Sequence, residues 1–256
     1  MLNAIIEAVR DAGQIILSAH DIDAAVSAKE GNGNFVTTYD VKVQQFLQER
    51  LLAICPEAHF VGEEEEVHAD ALHGLAYIVD PIDCTANFIR DMKHSAISVA
   101  LAQDGELVLG VVYNPYRGEM FAGQKGQGAT LNGRPIHVSD RPMERGVFCF
   151  GTSPYDPALR AHSFQIAGRL MERMQDLRRF GSAALDLCDV ACGRVELGFE
   201  CILQPWDYAG GALLISEAGG RVTQLDGSPI TLDRPCSILS GNALAHAAFL
   251  AHHLDQ

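Results

Sequence analysis

No stretch of this sequence approaches the ~18 consecutive apolar residues that a membrane-spanning helix needs. Nor does the opening MLNAIIEAVRDAGQIILSAH read as a secretory leader, because Glu7, Arg10 and Asp11 interrupt it. Its apolar residues Leu2, Ile5, Ile6, Val9, Ile16 and Leu17 recur at i, i+3, i+4 instead, which is the stripe of an amphipathic helix. Positive charge is scarce. Lys and Arg total 19 against 33 Asp and Glu, a formal net charge of −14. Such a surface repels nucleic-acid backbones and anionic membranes, so neither is an expected partner. An anionic small molecule stays open, because a bound metal can reverse the field locally. Paired cysteines are missing too: the 7 cysteines form no CxxC. Free buried thiols in a reducing compartment fit that count, and the cytoplasm is the expected location. Cys188 and Cys192, one helical turn apart, are expected in the core. Gly123, Gly126, Gly128 and Gly133 follow no phosphate-loop pattern and are expected at hairpin turns. His94 and His137 lack metal-ligand spacing and are expected to be structural. There is no internal repeat and no low-complexity tract.

What is present is an interleaving of helices and strands. Gly31-Asn32-Gly33-Asn34 signals a turn. Thr37 or Thr38 can cap a helix whose Val43, Phe46, Leu47 and Ile54 share a face, and Pro56 stops it. His59-Phe60-Val61 and Ala76–Val79 are short apolar strands. Ile97–Gln103, Leu107–Tyr113 and Glu119–Ala122 form an antiparallel meander divided at Asp104-Gly105 and Asn114-Pro115. After a compositional break near Ser139–Arg145 come a strand at Val147–Gly151 and a helix at Asp156–Met174. A helix at Ala183–Cys192, closed by Gly193, is followed by a strand at Val195–Glu200. A last helix is expected from Pro205 to Ala218, ended by Gly219-Gly220. The pattern predicts a layered α/β fold with mixed sheets.

Chemistry concentrates at three places. Asp80-Pro81-Ile82-Asp83 ends an apolar strand, and Pro81 imposes an extended path. The chain must therefore bend to bring Asp80 and Asp83 together. Two carboxylates sharing a site repel unless a cation neutralises them, and Mg2+ prefers such hard oxygen ligands. Gly62-Glu63-Glu64 follows another strand. Asp207, in Gln204-Pro205-Trp206-Asp207-Tyr208-Ala209-Gly210-Gly211, falls in the first turn of a helix, where the dipole favours a negative charge.

The ordered set GEE, DPIDxTxNF and WDYAGG closely resembles the inositol monophosphatase family over nearly the whole chain. Val36–Asp40, Asn114-Pro115 with Gly118–Ala122, and Gly126–Gly133 extend the likeness. The resemblance implies an αβαβα sandwich, the sugar-phosphatase fold. It divides into an N-terminal α+β half (1–140) with most metal ligands and a C-terminal α/β half (141–256) with Asp207 and the substrate pocket, within one compact catalytic unit. It implies Mg2+, two to three ions per site, held by Glu63, Asp80, the Ile82 carbonyl, Asp83 and Asp207. Asp40 and Thr85, with Glu63, would orient and deprotonate the attacking water. The N–H groups of Cys84 and Thr85 would hold phosphate. Gly181, Ser182, Ala183 and Glu200, with Asp83, would line the pocket for the alcohol part. Lys29 lies in the counterpart of a mobile loop.

The implied activity is hydrolysis of inositol monophosphate or a related small polyol or sugar phosphate. Lithium sensitivity and a homodimer are implied by the family alone. A fructose-1,6-bisphosphatase-like or 3′-phosphoadenosine-type phosphatase is the alternative within the enzymes, and a non-catalytic metal- or phosphate-binding relative is the alternative outside them. The sequence departs from the family at Cys84, where glycine is usual. Either the backbone there has φ > 0 and the cysteine is strained, or φ is negative and the backbone is unchanged.

Overall fold

The structure is a computed structural model and describes residues 1–20, 22, 26–28, 35–65 and 69–256. The turn expected at Gly31–Asn34 and the position of Lys29 lie outside those residues. In chain order the elements are α1 (Leu2–Leu17), β1 (Val26–Ala28), β2 (Phe35–Thr37), α2 (Thr38–Ile54), β3 (His59–Gly62), β4 (Leu75–Asp83) and α3 (Thr85–Ile89). Next are β5 (Ala96–Gln103), β6 (Glu106–Asn114), β7 (Glu119–Gln124), β8 (Gly128–Leu131), β9 (Arg134–Ile136) and β10 (Val147–Phe150). The chain continues with α4 (Pro157–Met171), β11 (Asp176–Arg178), α5 (Ala183–Ala191), β12 (Leu197–Leu203), α6 (Pro205–Glu217), β13 (Arg221–Thr223), β14 (Cys236–Gly241) and α7 (Ala243–Ala251).

Two large sheets are stacked with helices outside and between them. The first has seven strands in sequence order, β3 to β9. Its β3–β4 pair is parallel and the remainder is the expected antiparallel meander. The second has the order β11-β10-β12-β14-β13 and is mixed. Helices α1 and α2 cover one face of the first sheet, α5 and α6 fill the space between the sheets, and α4 and α7 lie on the outer side of the second. This is the αβαβα arrangement. Strands covered on both faces read as continuous apolar runs, as β4 and β5 do.

Three apolar layers follow. Ile5, Val9, Leu47, Leu51 and Tyr77 pack under α1 and α2. Ile78, Val112, Leu187, Leu214 and Ile238 fill the central layer. Phe148, Phe199, Ile166 and Phe249 fill the outer one. Cys188 is fully buried in the central layer and Cys192 packs against it.

Close approach explains the paired glycines of α6. A Cβ at Gly210 would lie 2.9 Å from Ser98 Oγ on the first sheet, and one at Gly211 would lie 2.5 Å from Leu187 Cβ on α5. Only glycines let α6 sit against both at once.

Some boundaries differ from expectation for local reasons. Gly123 lies inside β7 rather than at a turn, where a Cβ would come 3.1 Å from Leu214 of α6. Asp156 is the cap of α4 rather than its first residue, accepting from the N–H groups of Ala158 and Leu159. The strand expected from Val195 begins at Leu197, because the Glu196 carboxylate turns back to accept from the Val147 N–H at 2.7 Å and to pair with Arg141 at 2.9 Å.

Candidate functional site

The sequence Asp80-Pro81-Ile82-Asp83 stays within β4 and does not form a separate turn. The required bend is a register shift against β5: Asp80 is opposite Ser98 and Asp83 opposite Ala96, so one more residue separates the pair on β4 than on β5. A bulge of this kind re-aims side chains without ending the strand. The proline is accommodated there because a bulge frees the chain from a ladder bond.

Each carboxylate at this end of β4 is anchored through one oxygen. Asp80 Oδ1 accepts from the Ile82 N–H at 3.0 Å. Asp83 Oδ2 accepts from the Ala184 N–H at 2.8 Å and from the Ser182 hydroxyl. Asp207 is the third residue of α6, and its Oδ2 accepts from the Gln204 N–H at 2.8 Å in a reciprocal cap. Glu63 follows β3, half-buried, and its N–H donates to the Val79 carbonyl at 3.1 Å, one residue before Asp80. Three elements distant in sequence thus deliver carboxylates to one place.

The electrostatics register that convergence. Burial pushes the Asp80 carboxyl well above the usual range, and the charges of Glu63, Asp83, Asp207 and Asp40 push it further. Asp207 is raised by burial and by Glu63 and Asp83. Asp83 is raised by burial to about 6, against the pull of its Ser182 and Ala184 donors. Among the described residues, no three His, Cys, Asp or Glu side chains are gathered tightly enough to hold a metal ion as they stand. The donor set is nevertheless all oxygen, anionic and mutually repelling, and such a set suits a hard divalent cation.

Beside it lies a second arrangement. Thr37 caps α2, accepting from the Tyr39 and Asp40 N–H groups. Asp40 Oδ2 answers by accepting from the Thr37 N–H at 2.8 Å and its hydroxyl at 2.5 Å. The other oxygen, Oδ1, accepts from Thr85 Oγ1 at 3.0 Å. The Ile82 carbonyl, at 3.4 Å from Thr85 Oγ1, competes for the same hydrogen at longer range. Tyr39 and Phe88 meet edge to face with centroids 5.7 Å apart, which clamps α2 against α3. A threonine that donates to a buried aspartate presents its lone pairs outward, where a water can donate to them.

Cys84 sits at the cap of α3 with φ 67° and ψ 65°. The left-handed conformation is therefore real here, and the cysteine carries the strain that glycine would avoid. Burial pushes its thiol up to about 11, reinforced by Asp83. The shift disfavours the thiolate that nucleophilic attack would need. Its Sγ, with Asn87 Nδ2 and Arg179 Nη1, surrounds the position a Cβ on Gly181 would take, at 3.1, 3.1 and 2.8 Å. Gly181 has φ 107°. Asn87 Nδ2 donates to the carbonyls of His94 and Phe180, at 2.8 Å each, and ties α3 to the loop before α5.

Ser182 is the cap of α5, and Ala183 opens that helix beside Asp83. Glu200 lies on β12, and its carboxyl crosses the face of Gly151: a Cβ there would fall 1.7 and 1.8 Å from its oxygens. Burial raises Glu200 to about 8 against the attraction of Arg179. Sequence reasoning did not single out Arg179, Gly151 or Asp186. Asp186 had a signal, a charged residue inside the otherwise apolar run Ala183–Leu187. The other two had none, since their role depends on which strands become neighbours.

The whole chain, residues 1–256, matches the model of the inositol monophosphatase family. Nus factor SuhB of Escherichia coli strain K12 is 34% identical over 258 residues, covering 100% of this chain and 96% of that protein. Inositol-1-monophosphatase of Bacillus subtilis strain 168 is 30% identical over 250 residues, covering 96% and 93%. Among solved structures, extragenic suppressor protein suhB from Bartonella henselae superposes with a TM-score of 0.89 at 32% identity, over 97% of this chain and 96% of that one. Inositol monophosphate-bound SaIMPase-II superposes with a TM-score of 0.84 at 26% identity, over 100% and 94%. Carboxylates delivered from β3, β4 and α6, in a fold shared end to end with these proteins, make this chain a member of the inositol monophosphatase family.

Proposed function

We propose that the protein is a Mg2+-dependent phosphomonoester hydrolase acting on inositol monophosphate or a related small polyol or sugar phosphate by direct attack of water. The observation that carries this reading is the convergence of Glu63, Asp80, Asp83 and Asp207 beside the Thr85–Asp40 pair. The Bacillus relative and the inositol monophosphate-bound neighbour support the choice of substrate.

In this reading Glu63, Asp80, the Ile82 carbonyl, Asp83 and Asp207 hold the metal ions. When bound, Mg2+ supplies the positive charge that neutralises phosphate and acidifies water. Thr85 accepts a hydrogen bond from the attacking water and, through its own hydroxyl, hands orientation to Asp40. The proton of the water passes to the Thr85 hydroxyl as that hydroxyl gives its own to Asp40, and Glu63 helps to orient the water. The N–H groups at Cys84 and Thr85 face the phosphate oxygens, and Glu200, with Ser182 and Ala183, faces the alcohol. The Cys84 thiol adds bulk at that junction.

The test is phosphate release from inositol 1-phosphate with and without Mg2+, beside Asp80→Asn. Turnover that needs Mg2+ and is lost in the variant is the expected result. Release independent of Mg2+, or unaffected by Asp80→Asn, overturns it. The Nus factor name of the 34% identical relative favours a compatible second reading, a Nus-factor role. Asp80→Asn separates the two, because a binding role survives loss of turnover in complementation of a strain lacking that relative.

A further inference from the structure

Asp83 is surrounded by three segments that are separate in sequence. Helix α3 follows it after a single residue. Ala96, the first residue of β5, lies opposite it at the bulge. The start of α5 supplies the Ser182 hydroxyl and the Ala184 N–H that hold its Oδ2. None of the three is held in place by its own secondary structure. Helix α3 has five residues, too few to be stable alone. A bulge locally disrupts the ladder that would otherwise fix β5 against β4. The chain entering α5 turns at Gly181, with φ 107°.

One side chain joins all three. Asn87, in the middle of α3, is 7% exposed. Its Nδ2 donates to the His94 carbonyl, two residues before Ala96, and to the Phe180 carbonyl, two residues before Ser182, at 2.8 Å each. Both partners are carbonyl oxygens, so the amide nitrogen must face them, and both of its hydrogens are spent. The approach is close: a Cβ on Gly181 would lie 3.1 Å from Asn87 Nδ2. The rings of His94 and Phe180 meet with centroids 5.2 Å apart, which joins the two accepting residues to each other as well. The next residue, Phe88, packs on Tyr39 of α2. Consecutive residues of α3 therefore tie it to the approach to α5 and to the helix that carries Asp40.

We infer that Asn87 is a positioning residue for Asp83: by clasping the carbonyls of His94 and Phe180 it holds the start of β5 and the approach to α5 around that carboxylate, and so fixes the direction in which Asp83 is presented. The inference rests on the proposed function only in taking Asp83 as a metal ligand. No bond is made or broken in this role. Asn87 acts through Ser182 and Ala184, which hold the carboxylate. Leucine at 87 keeps much of the shape and donates nothing, so the two carbonyls are released.

The first readout uses the metal-free full chain and needs neither turnover nor a bound ion. The Ala184 N–H lies in the first turn of α5, where no helical acceptor is available, and Asp83 is its acceptor. Its amide proton resonance therefore reports that contact. In Asn87→Leu it is expected to move upfield as the bond to the carboxylate lengthens, in a spectrum that otherwise remains that of the folded parent. An Ala184 resonance that stays in place, while those of His94 and Phe180 move, overturns the role, because the effect of Asn87 would then end at its immediate neighbours. If the leucine variant does not fold, Asn87→Ala is read in the same way.

The second readout is Mg2+ binding by calorimetry, without substrate and at a temperature where parent and variant are both folded. Groups that orient the ligands of a metal are worth about 10–100-fold in affinity, and Asn87→Leu is expected to weaken Mg2+ binding within that range. Affinity within about twofold of the parent overturns the inference. If the parent binds no Mg2+, the proposed function fails, and the Ala184 resonance alone decides whether Asn87 positions Asp83.

Discussion

Two buried acidic corners flank this site, and they are built on opposite terms. Asp40 is fully buried and accepts from the Thr37 N–H, the Thr37 hydroxyl and the Thr85 hydroxyl. Asp186, nearly as buried, has one oxygen without a hydrogen bond among the described residues. The first corner lies at the start of α2, where the Thr37 cap holds the aspartate locally and Thr85 of α3 completes it. The second lies where α5 meets the second sheet, and its geometry exists only once the two are packed. Fixed donors suit a group that must aim a water at one phosphorus atom.

Breaking the first corner should cost far more than loosening the second. The largest effect is expected from Asp80→Asn, whose neighbours already load it with repulsion. Phosphate release should fall to background while Mg2+ affinity, measured by calorimetry, weakens. Next come Thr85→Ala and Asp40→Asn. Each is expected to lower kcat by about 10^2–10^4-fold, the usual reach of a positioned acid–base pair. KM should change little, and steady-state rates across Mg2+ concentrations separate this loss from a metal defect.

Cys84→Gly works in the other direction. It releases a left-handed residue worth about 1–2 kcal/mol, and the melting temperature should rise by roughly 2–6 °C for a chain of this size. Activity should be retained or improved. A fall in both would show that the thiol packs better than the backbone suffers.

The smallest effect belongs to the second corner and depends on pH. Glu200 titrates near 8 in the folded protein against an ordinary 4.5, so the folded state binds its proton more tightly. Its contribution to stability is therefore fully present below pH 4.5 and is lost as pH rises through about 8. Metal-free Glu200→Gln should melt with the parent near pH 4 and a few degrees above it at pH 9. Equal melting temperatures at both would contradict the shift.

Part of the site could be read in the sequence. Thr37 or Thr38 was legible as a helix cap and DPID at the end of an apolar strand as a charged strand terminus, whereas Asp40 and Thr85 came from family resemblance and the reciprocal cap of Thr37 and Asp40 only from the structure. The bulge that brings Asp80 and Asp83 to one side could not be read, because it is a relation between β4 and β5. The glycines of WDYAGG were visible, but their purpose required knowing that Ser98 and Leu187 would lie within 3 Å of their missing side chains. Glu200 came from family resemblance alone. Gly151, which lies against its carboxyl, is invisible until β10 and β12 are neighbours, whereas Asp186 was visible as a charge in an apolar run but its neighbours were not. The left-handed backbone at Cys84 is a further case, since a cysteine in the sequence argues for neither sign of φ.

Helix α6 has one more consequence. It touches strands of both sheets and also α5, and it carries Asp207 in its first turn. It cannot detach alone, because its release would expose the central layer on both sides. Its backbone amides should therefore exchange with solvent only in the slowest, global opening of the molecule. A ligand carboxylate carried on such a helix is lost only when the whole protein is lost. Denaturant should erase ion affinity and folded structure in a single transition, with no partly folded species that has let Asp207 go.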